Sequence, residues 1–369
     1  MRVQGPIVQA QIIEGALLNI INFQTLIATK AARIRLVAGE RQVIEFGLRR
    51  AQGIDGALAA SWASYIGGCD ATANVLAGQL FNIPVKGTHA HSWAMSFDSE
   101  LESFDAYARA MPNNSLFLVD TYDTFAGVRN AIEVGKRLRS SGHDLLGIRL
   151  DSGDLAYLSI EARKMLDAAG FNKSIILASN ELDEHIINSL NQQGAAIDAF
   201  GVGTSLVTGN GQPALGGVYK LTAVRNPGEK WRYCVKISEQ AAKISTPGVN
   251  QVRRFQAQGE YIGDMIYDEF MLPQGTCVMV DPMDFTRRKT ILEGTTYTDL
   301  LVPVFRGGKP VYASAPAAEI KEHVRSQLAC FHSGIKRLIN AHIYPVGLEK
   351  NLNGLRTELV MQARGIAAR

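Results

Sequence analysis

Between about residue 40 and residue 210, short apolar runs alternate with amphipathic helical stretches, and this alternation restricts the fold more than any other feature of the chain. The runs that read as strands are Val43–Phe46, Tyr65–Gly67, Ile83–Val85, Leu116–Val119, Leu145–Leu150, Ile175–Ala178 and Asp198–Val202. Helical periodicity falls between them, most clearly in Ser99–Met111, Phe125–Ser140, Leu155–Ala169 and Glu181–Gln193. Strand, helix, strand at such intervals builds right-handed βαβ units and a parallel sheet. Seven units favour an α/β fold with an irregular parallel β/α barrel, closed or nearly so, over an open doubly wound sheet.

After Gly216 the pattern changes. Val218–Val224, Tyr233–Ile237 and Tyr261–Asp268 read as strands of mixed or antiparallel type, separated by turn sequences such as Asn226-Pro227-Gly228. Helical periodicity returns over 317–340, with Ile320, Val324, Leu328, Phe331 and Ile335 on one face. At 369 residues the chain is too long for one ordinary core. We therefore expect a barrel over 36–215, a second, mixed α/β domain completed by 216–369, and in 1–35 the remainder of that second domain's N-terminal part. Arg2-Val3 reads as a strand end entering a helix at Pro6. The helix from about Gln9 to Lys30 presents Ile12, Ile13, Leu17, Ile20 and Ile21, an apolar surface that needs a partner.

Composition excludes several classes. A net charge of +3 is weak for this length and implies no general affinity for nucleic acid or membrane. Cys69, Cys234, Cys277 and Cys330 lie far apart without a C-x-x-C pair, which suits reduced thiols in the cytoplasm rather than a disulfide framework or zinc knuckle. We read no apolar run as long enough to span a bilayer, and no signal peptide at Met1–Pro6.

The chemistry gathers where strands end. Gly87-Thr88-His89-Ala90-His91-Ser92-Trp93 places two histidines and a threonine after the run ending at Val85. In parallel α/β folds the carboxyl ends of strands are where catalysis sits. An H-x-H pair suits a metal centre, which requires further ligands from other strands. Better suited is a hydrogen-bonded structural histidine or a nucleophilic or acid–base imidazole, the last favoured by the residues around it. Arg149, Asp151 and Asp154 surround the turn at Gly153. A guanidinium there captures a carboxylate or phosphate in bidentate fashion, and the carboxylates suit ribose hydroxyls or a magnesium ion. Asp154 also suits the N-cap of the following helix. Ile176-Leu177-Ala178-Ser179-Asn180 ends in polar residues, and Gly201-x-Gly203-Thr204-Ser205 offers unobstructed backbone N–H groups to a phosphate. Arg49 and Arg50 add positive charge to the same rim. Together these parts imply a substrate with phosphates and a ribose, a second anionic group, and a histidine within reach of both.

The segments Asn22–Lys30, Phe46-Gly47-Leu48-Arg49-Arg50, Gly87–Trp93, Leu118-Val119-Asp120-Thr121-Tyr122-Asp123-Thr124, Arg149–Leu155 and Phe200–Thr204, in this order, resemble those of the nicotinate phosphoribosyltransferases, of the type II phosphoribosyltransferase family. The resemblance implies transfer of a phosphoribosyl group from phosphoribosyl pyrophosphate to nicotinate, coupled to ATP hydrolysis with Mg2+, in NAD salvage. It implies that His91 is transiently phosphorylated, that Thr88 and Arg149 hold nicotinate, and that Gly203 and Thr204 cradle phosphate. Arg49 and Asp70 match positions lining the base and phosphate pocket of the related nicotinamide enzyme. Asp151 is expected as a catalytic carboxylate and a magnesium ligand, with Asp154 as the other magnesium candidate, and Ser179 and Asn180 as substrate contacts. The family is expected to be cytoplasmic and homodimeric, with an N-terminal segment, absent here, that completes the neighbour's active site. The competing readings are a non-catalytic nucleotide-binding relative and a metal-dependent hydrolase.

Overall fold

A computed structural model describes residues 1–366. The described chain divides into two compact units, one of residues 20–215 with 315–325 and the other of residues 1–19, 216–314 and 326–366. The division at Leu215/Gly216 falls where the composition changes. Residues 20–35 and 315–325 belong with the barrel strands, not with the second unit as the sequence pattern suggests. Ile27, Ala31 and Ile34 are fully buried in that core, and Lys321 reaches the Cys69 carbonyl and the Asp70 carboxylate.

The first unit is built on six parallel strands: β1 (Gln42–Glu45), β2 (Ala71–Thr72), β3 (Leu116–Leu118), β4 (Gly147–Leu150), β5 (Ile175–Ala178) and β6 (Ala199–Val202). Their order is β2-β1-β6-β5-β4-β3. That is the cyclic order of a β/α barrel, interrupted between β2 and β3. Val85 adds a single parallel bridge to Thr72 on the outer side of β2. Burial on both faces explains why these strands read as continuous apolar runs. The covering helices include Gly53–Gly67, Glu100–Ala110, Thr124–Ser140, Leu155–Ala168 and Glu184–Gln192.

Two strand expectations fail for physical reasons. Tyr65–Gly67 is the last turn of the helix Gly53–Gly67, which stops because Gly68 takes φ 132°. Ile83–Val85 provides one bridge and no ladder. The strand it displaced, β2, is two residues long and shows no alternation to read.

Residues on the inner face of the strands lie two apart, so each strand contributes successive layers. Ile44, Leu116, Leu177 and Ala199 line a cavity of about 720 Å³. Phe46, Leu118, Ser179 and Gly201, two residues further on, line a second cavity of about 300 Å³.

The second unit holds a six-stranded mixed sheet in the order Arg288–Ile291, Cys277–Val280, Val346–Glu349, Glu260–Asp268, Asn250–Ala257, Thr296–Asp299. Only the pair Glu260–Asp268 and Val346–Glu349 is parallel. Arg2 and Val3 form no strand, and helix begins at Ile7 and continues, after a break at Ile13, through Glu14–Ala38. Contrary to the sequence expectation, the stretch Ile7–Ala38, with a mean hydropathy of 1.4 over its most apolar window, is long and apolar enough to cross a bilayer by length and composition. Its C-terminal half is instead packed in the barrel core through Leu26, Ile27, Ala31 and Ile34.

Candidate active site

The smaller cavity opens at the carboxyl ends of the strands and is the candidate site. It gathers Arg49, Thr88, His91, Arg149, Asp151, Ser179, Asn180, Gly203 and Thr204 from five separate segments of the chain. Phe46, Arg50, His89 and Glu181 complete much of its wall.

Arg149 is the hub. At the third position of β4 its side chain points inward, only 15% exposed. Its Nη1 donates to Thr88 Oγ1 (3.0 Å), its Nε to Ser179 Oγ (2.8 Å) and its Nη2 to Asp151 Oδ1 (2.9 Å). The Phe46 ring lies 5.1 Å from the guanidinium. That ring fits because the neighbouring strand has Gly201, where a Cβ would meet it at 2.5 Å. Burial pushes the Asp151 carboxyl up, but Arg149 and the Ser179 hydroxyl outweigh it and hold the group below the usual carboxylate range. Asn180, beside them, sits at φ 92°, a conformation that costs energy outside glycine and clusters at functional sites.

The two histidines separate cleanly. His89 is buried, with Nδ1 toward the Ala90 carbonyl (3.2 Å) and Nε2 accepting the Leu118 N–H (3.1 Å). These partners fix one neutral tautomer, and burial pushes the ring's pKa down. Phe104, Tyr107 and Phe117 surround it with ring centroids 5.2–6.4 Å away. With both nitrogens occupied, His89 has no lone pair for a metal. Among the described residues no group of three histidine, cysteine or carboxylate side chains is placed to hold one. The hydrolase reading therefore loses its ligand pair.

His91 is the accessible one, at 40% side-chain exposure. Its Nδ1 lies 3.2 Å from the Thr121 hydroxyl. Its Nε2 faces two carboxylate oxygens, Asp151 Oδ2 at 3.6 Å and Asp120 Oδ1 at 3.9 Å. Asp120 was not assigned a role from sequence, although it lies in one of the quoted motifs. It follows β3 as Asp151 follows β4, and that parallel position was the available signal. Its Oδ2 accepts the Asp151 N–H (2.8 Å) and the Ser152 hydroxyl (2.6 Å), while its buried Oδ1 has no protein donor.

Thr204 opens a four-residue helix after Gly203, with its hydroxyl 3.4 Å from Glu181 Oε1. Asp154 caps the helix Leu155–Ala168 by accepting the Tyr157 N–H at 3.1 Å. Asp70 is not brought to the cleft. It precedes β2, at the amino end of the strands, and is held by Arg35, by Lys321 Nζ (3.1 Å) and by the Val43 N–H (2.9 Å). Burial raises its pKa, but these partners prevail and leave it lowered.

Residues 41–258 match the Nicotinate phosphoribosyltransferase (NAPRTase) family, and residues 250–356 match the Nicotinate phosphoribosyltransferase C-terminal domain. The chain is 45% identical to a nicotinate phosphoribosyltransferase of Bacillus subtilis over 95% of this chain and 72% of that protein. A Dictyostelium discoideum protein of the same name is 37% identical over 95% of this chain and 69% of its own length. The crystal structure of human nicotinic acid phosphoribosyltransferase superposes with a TM-score of 0.82 at 30% identity, covering 96% of this chain and 78% of that one.

Proposed function

The chain belongs to the nicotinate phosphoribosyltransferase family of NAD salvage, and from that premise we propose how its cleft carries out the reaction. Nicotinate enters with its carboxylate toward Arg149 and Thr88. Phosphoribosyl pyrophosphate lies with its phosphates toward Arg49 and the Gly203-Thr204 loop. The pyridine nitrogen attacks the anomeric carbon, the bond from that carbon to pyrophosphate breaks, and nicotinate mononucleotide and pyrophosphate leave.

The ATP coupling runs through His91. One imidazole nitrogen forms a bond to the γ-phosphorus as the bridging oxygen departs with ADP, and water later returns the phosphoryl group as phosphate. The observation that carries this reading is the asymmetric surroundings of the ring: carboxylates at Nε2, a hydroxyl at Nδ1. At 3.6 and 3.9 Å the carboxylates are too far for hydrogen bonds, but their negative charge favours a ring proton at Nε2 and so a lone pair at Nδ1, which the Thr121 hydroxyl meets as donor. Nδ1 is therefore the phosphoryl acceptor. Asp151 Oδ2 and the unpartnered Asp120 Oδ1 also fit Mg2+, an ion that takes one or two carboxylates and keeps several waters. Bound there, it would supply positive charge against the phosphates. We place the enzyme in the cytoplasm as a homodimer, a reading supported by the family and by the exposed Ile12, Ile20 and Ile21.

The test is incubation with ATP labelled at the γ-phosphorus. Wild-type protein and His89→Gln should take up label, and His91→Ala should not. Phosphorus–nitrogen NMR of the phosphoprotein should assign the bond to Nδ1. Labelling that survives in His91→Ala would overturn the role of this residue, and an Nε2 adduct would overturn the proton placement.

A further inference from the structure

Glu45 is a charged side chain where the fold calls for an apolar one. It is the last residue of β1, and its neighbours Ile44 and Phe46 face the inside of the barrel. Its own side chain lies on the other face, against the helix Gly53–Gly67, and is 1% exposed. A carboxylate placed there without full hydrogen bonding is strongly destabilising. Its hydrogen bonds are provided in full by neutral groups. One oxygen accepts the Gly47 N–H. The other accepts the Ser61 hydroxyl at 2.9 Å and the Thr72 hydroxyl at 2.6 Å. Asn74 closes the network, donating its side-chain amide to Ser61 Oγ at 3.2 Å and its backbone N–H to Thr72 Oγ1 at 3.0 Å.

The network sits directly beneath the turn that enters the cleft. Phe46, Arg49, Arg50 and Ala73 line the cavity, and Glu45 accepts the Gly47 N–H, where that turn leaves the strand. A second constraint acts on the same residue: a Cβ on Gly47 would meet the Val207 side chain at 2.2 Å, so the turn packs too closely there for any larger residue. Arg49 and Arg50 follow in a single turn of 3-10 helix closed by Arg50 N–H to the Gly47 carbonyl, 2.8 Å. Both arginines are exposed, and the Glu45 bond at Gly47 fixes the start of the turn that carries them.

We propose that Glu45 is a positioning residue for phosphate recognition: it fixes the Gly47–Arg50 turn so that both arginines face the phosphates of phosphoribosyl pyrophosphate. The inference rests on the function proposed above. It predicts a selective effect: Phe46, whose ring meets Arg149, is held separately by its own N–H to the Val202 carbonyl (2.8 Å), and Thr88 and Arg149, the proposed nicotinate contacts, stand on other elements.

The test compares Glu45→Ala, Glu45→Gln and Thr72→Val in the full chain. In Glu45→Ala the KM for phosphoribosyl pyrophosphate and the Kd of inorganic pyrophosphate should rise at least tenfold. The KM for nicotinate should stay within about twofold. Glu45→Gln keeps an acceptor for the Gly47 N–H and should recover most of the loss. Thr72→Val should show a smaller shift in the same direction, and it remains informative if the alanine variant does not fold. Hydrogen exchange at the Gly47 amide reads the anchor independently of the substrate: protection should be lost in Glu45→Ala and kept in Glu45→Gln. An unchanged pyrophosphate Kd in Glu45→Ala, an equal loss for both substrates, or no recovery in Glu45→Gln would overturn the proposal. Wild-type protein that binds no pyrophosphate would instead overturn the substrate reading, leaving the exchange experiment to decide the anchor.

Discussion

Arg149 directs three guanidinium nitrogens to groups from three different strand ends: Thr88, Ser179 and Asp151. A planar fork with five donors can do this and still face a ligand, whereas a lysine ammonium cannot match that geometry. Arg149→Lys should lower kcat/KM for nicotinate by about 1.5–3 kcal/mol, the range for hydrogen bonds to charged groups, or on the order of ten- to hundredfold. Steady-state kinetics showing an unchanged value would remove Arg149 as the anion clamp. Most of this site could be read from the chain because strand-end residues announce themselves as polar groups after an apolar run. The distinction between His89 and His91 could not. Only the position of the Leu118 N–H shows which ring is tied down. Asp70 misled for a related reason, since a match to a position in a related enzyme does not say at which end of a strand the residue lies.

At the level of elements, the strands around residues 43, 117, 148, 176 and 200 were legible to within a residue or two, because burial on both faces writes a continuous apolar run. β2 was not, since two residues carry no period. The helix Gly53–Gly67 was missed because its Tyr65-Ile66-Gly67 end imitates a strand before the stop at Gly68. The helix Leu155–Ala168 shows how a candidate ligand can be an element's own component. Asp154 accepts the Tyr157 N–H at its start. Loss of such a cap costs about 1 kcal/mol. Asp154→Ala should therefore lower stability in chemical denaturation by about that amount, Asp154→Asn should restore it, and neither should alter the magnesium dependence of turnover. A shift in that dependence would make Asp154 a ligand after all.

For the molecule as a whole, the sequence pattern and the family agree on an α/β architecture whose sheet follows barrel order, and the structure adds where the ring stops. β3 bonds to β4 on one side and to no strand on the other, and the Leu118 N–H on that open side is taken by the His89 ring. The edge is thus fastened by an imidazole where a neighbouring strand would supply a carbonyl, and this clasp responds to protons. His89 is held neutral in the fold, its pKa lowered by burial from 6.5. Its stabilising contribution is accordingly complete above about pH 6.5 and is lost as the pH falls below that value, where the unfolded chain gains a proton that the folded one resists. His89→Gln, which keeps an acceptor and does not titrate, should flatten the stability profile between about pH 7 and pH 5. An unchanged profile would show that the acid sensitivity arises elsewhere. The segment fastened by this ring also carries Thr88 and His91, so acidification should loosen the edge of the barrel and disarrange the nicotinate and phosphoryl positions in one event.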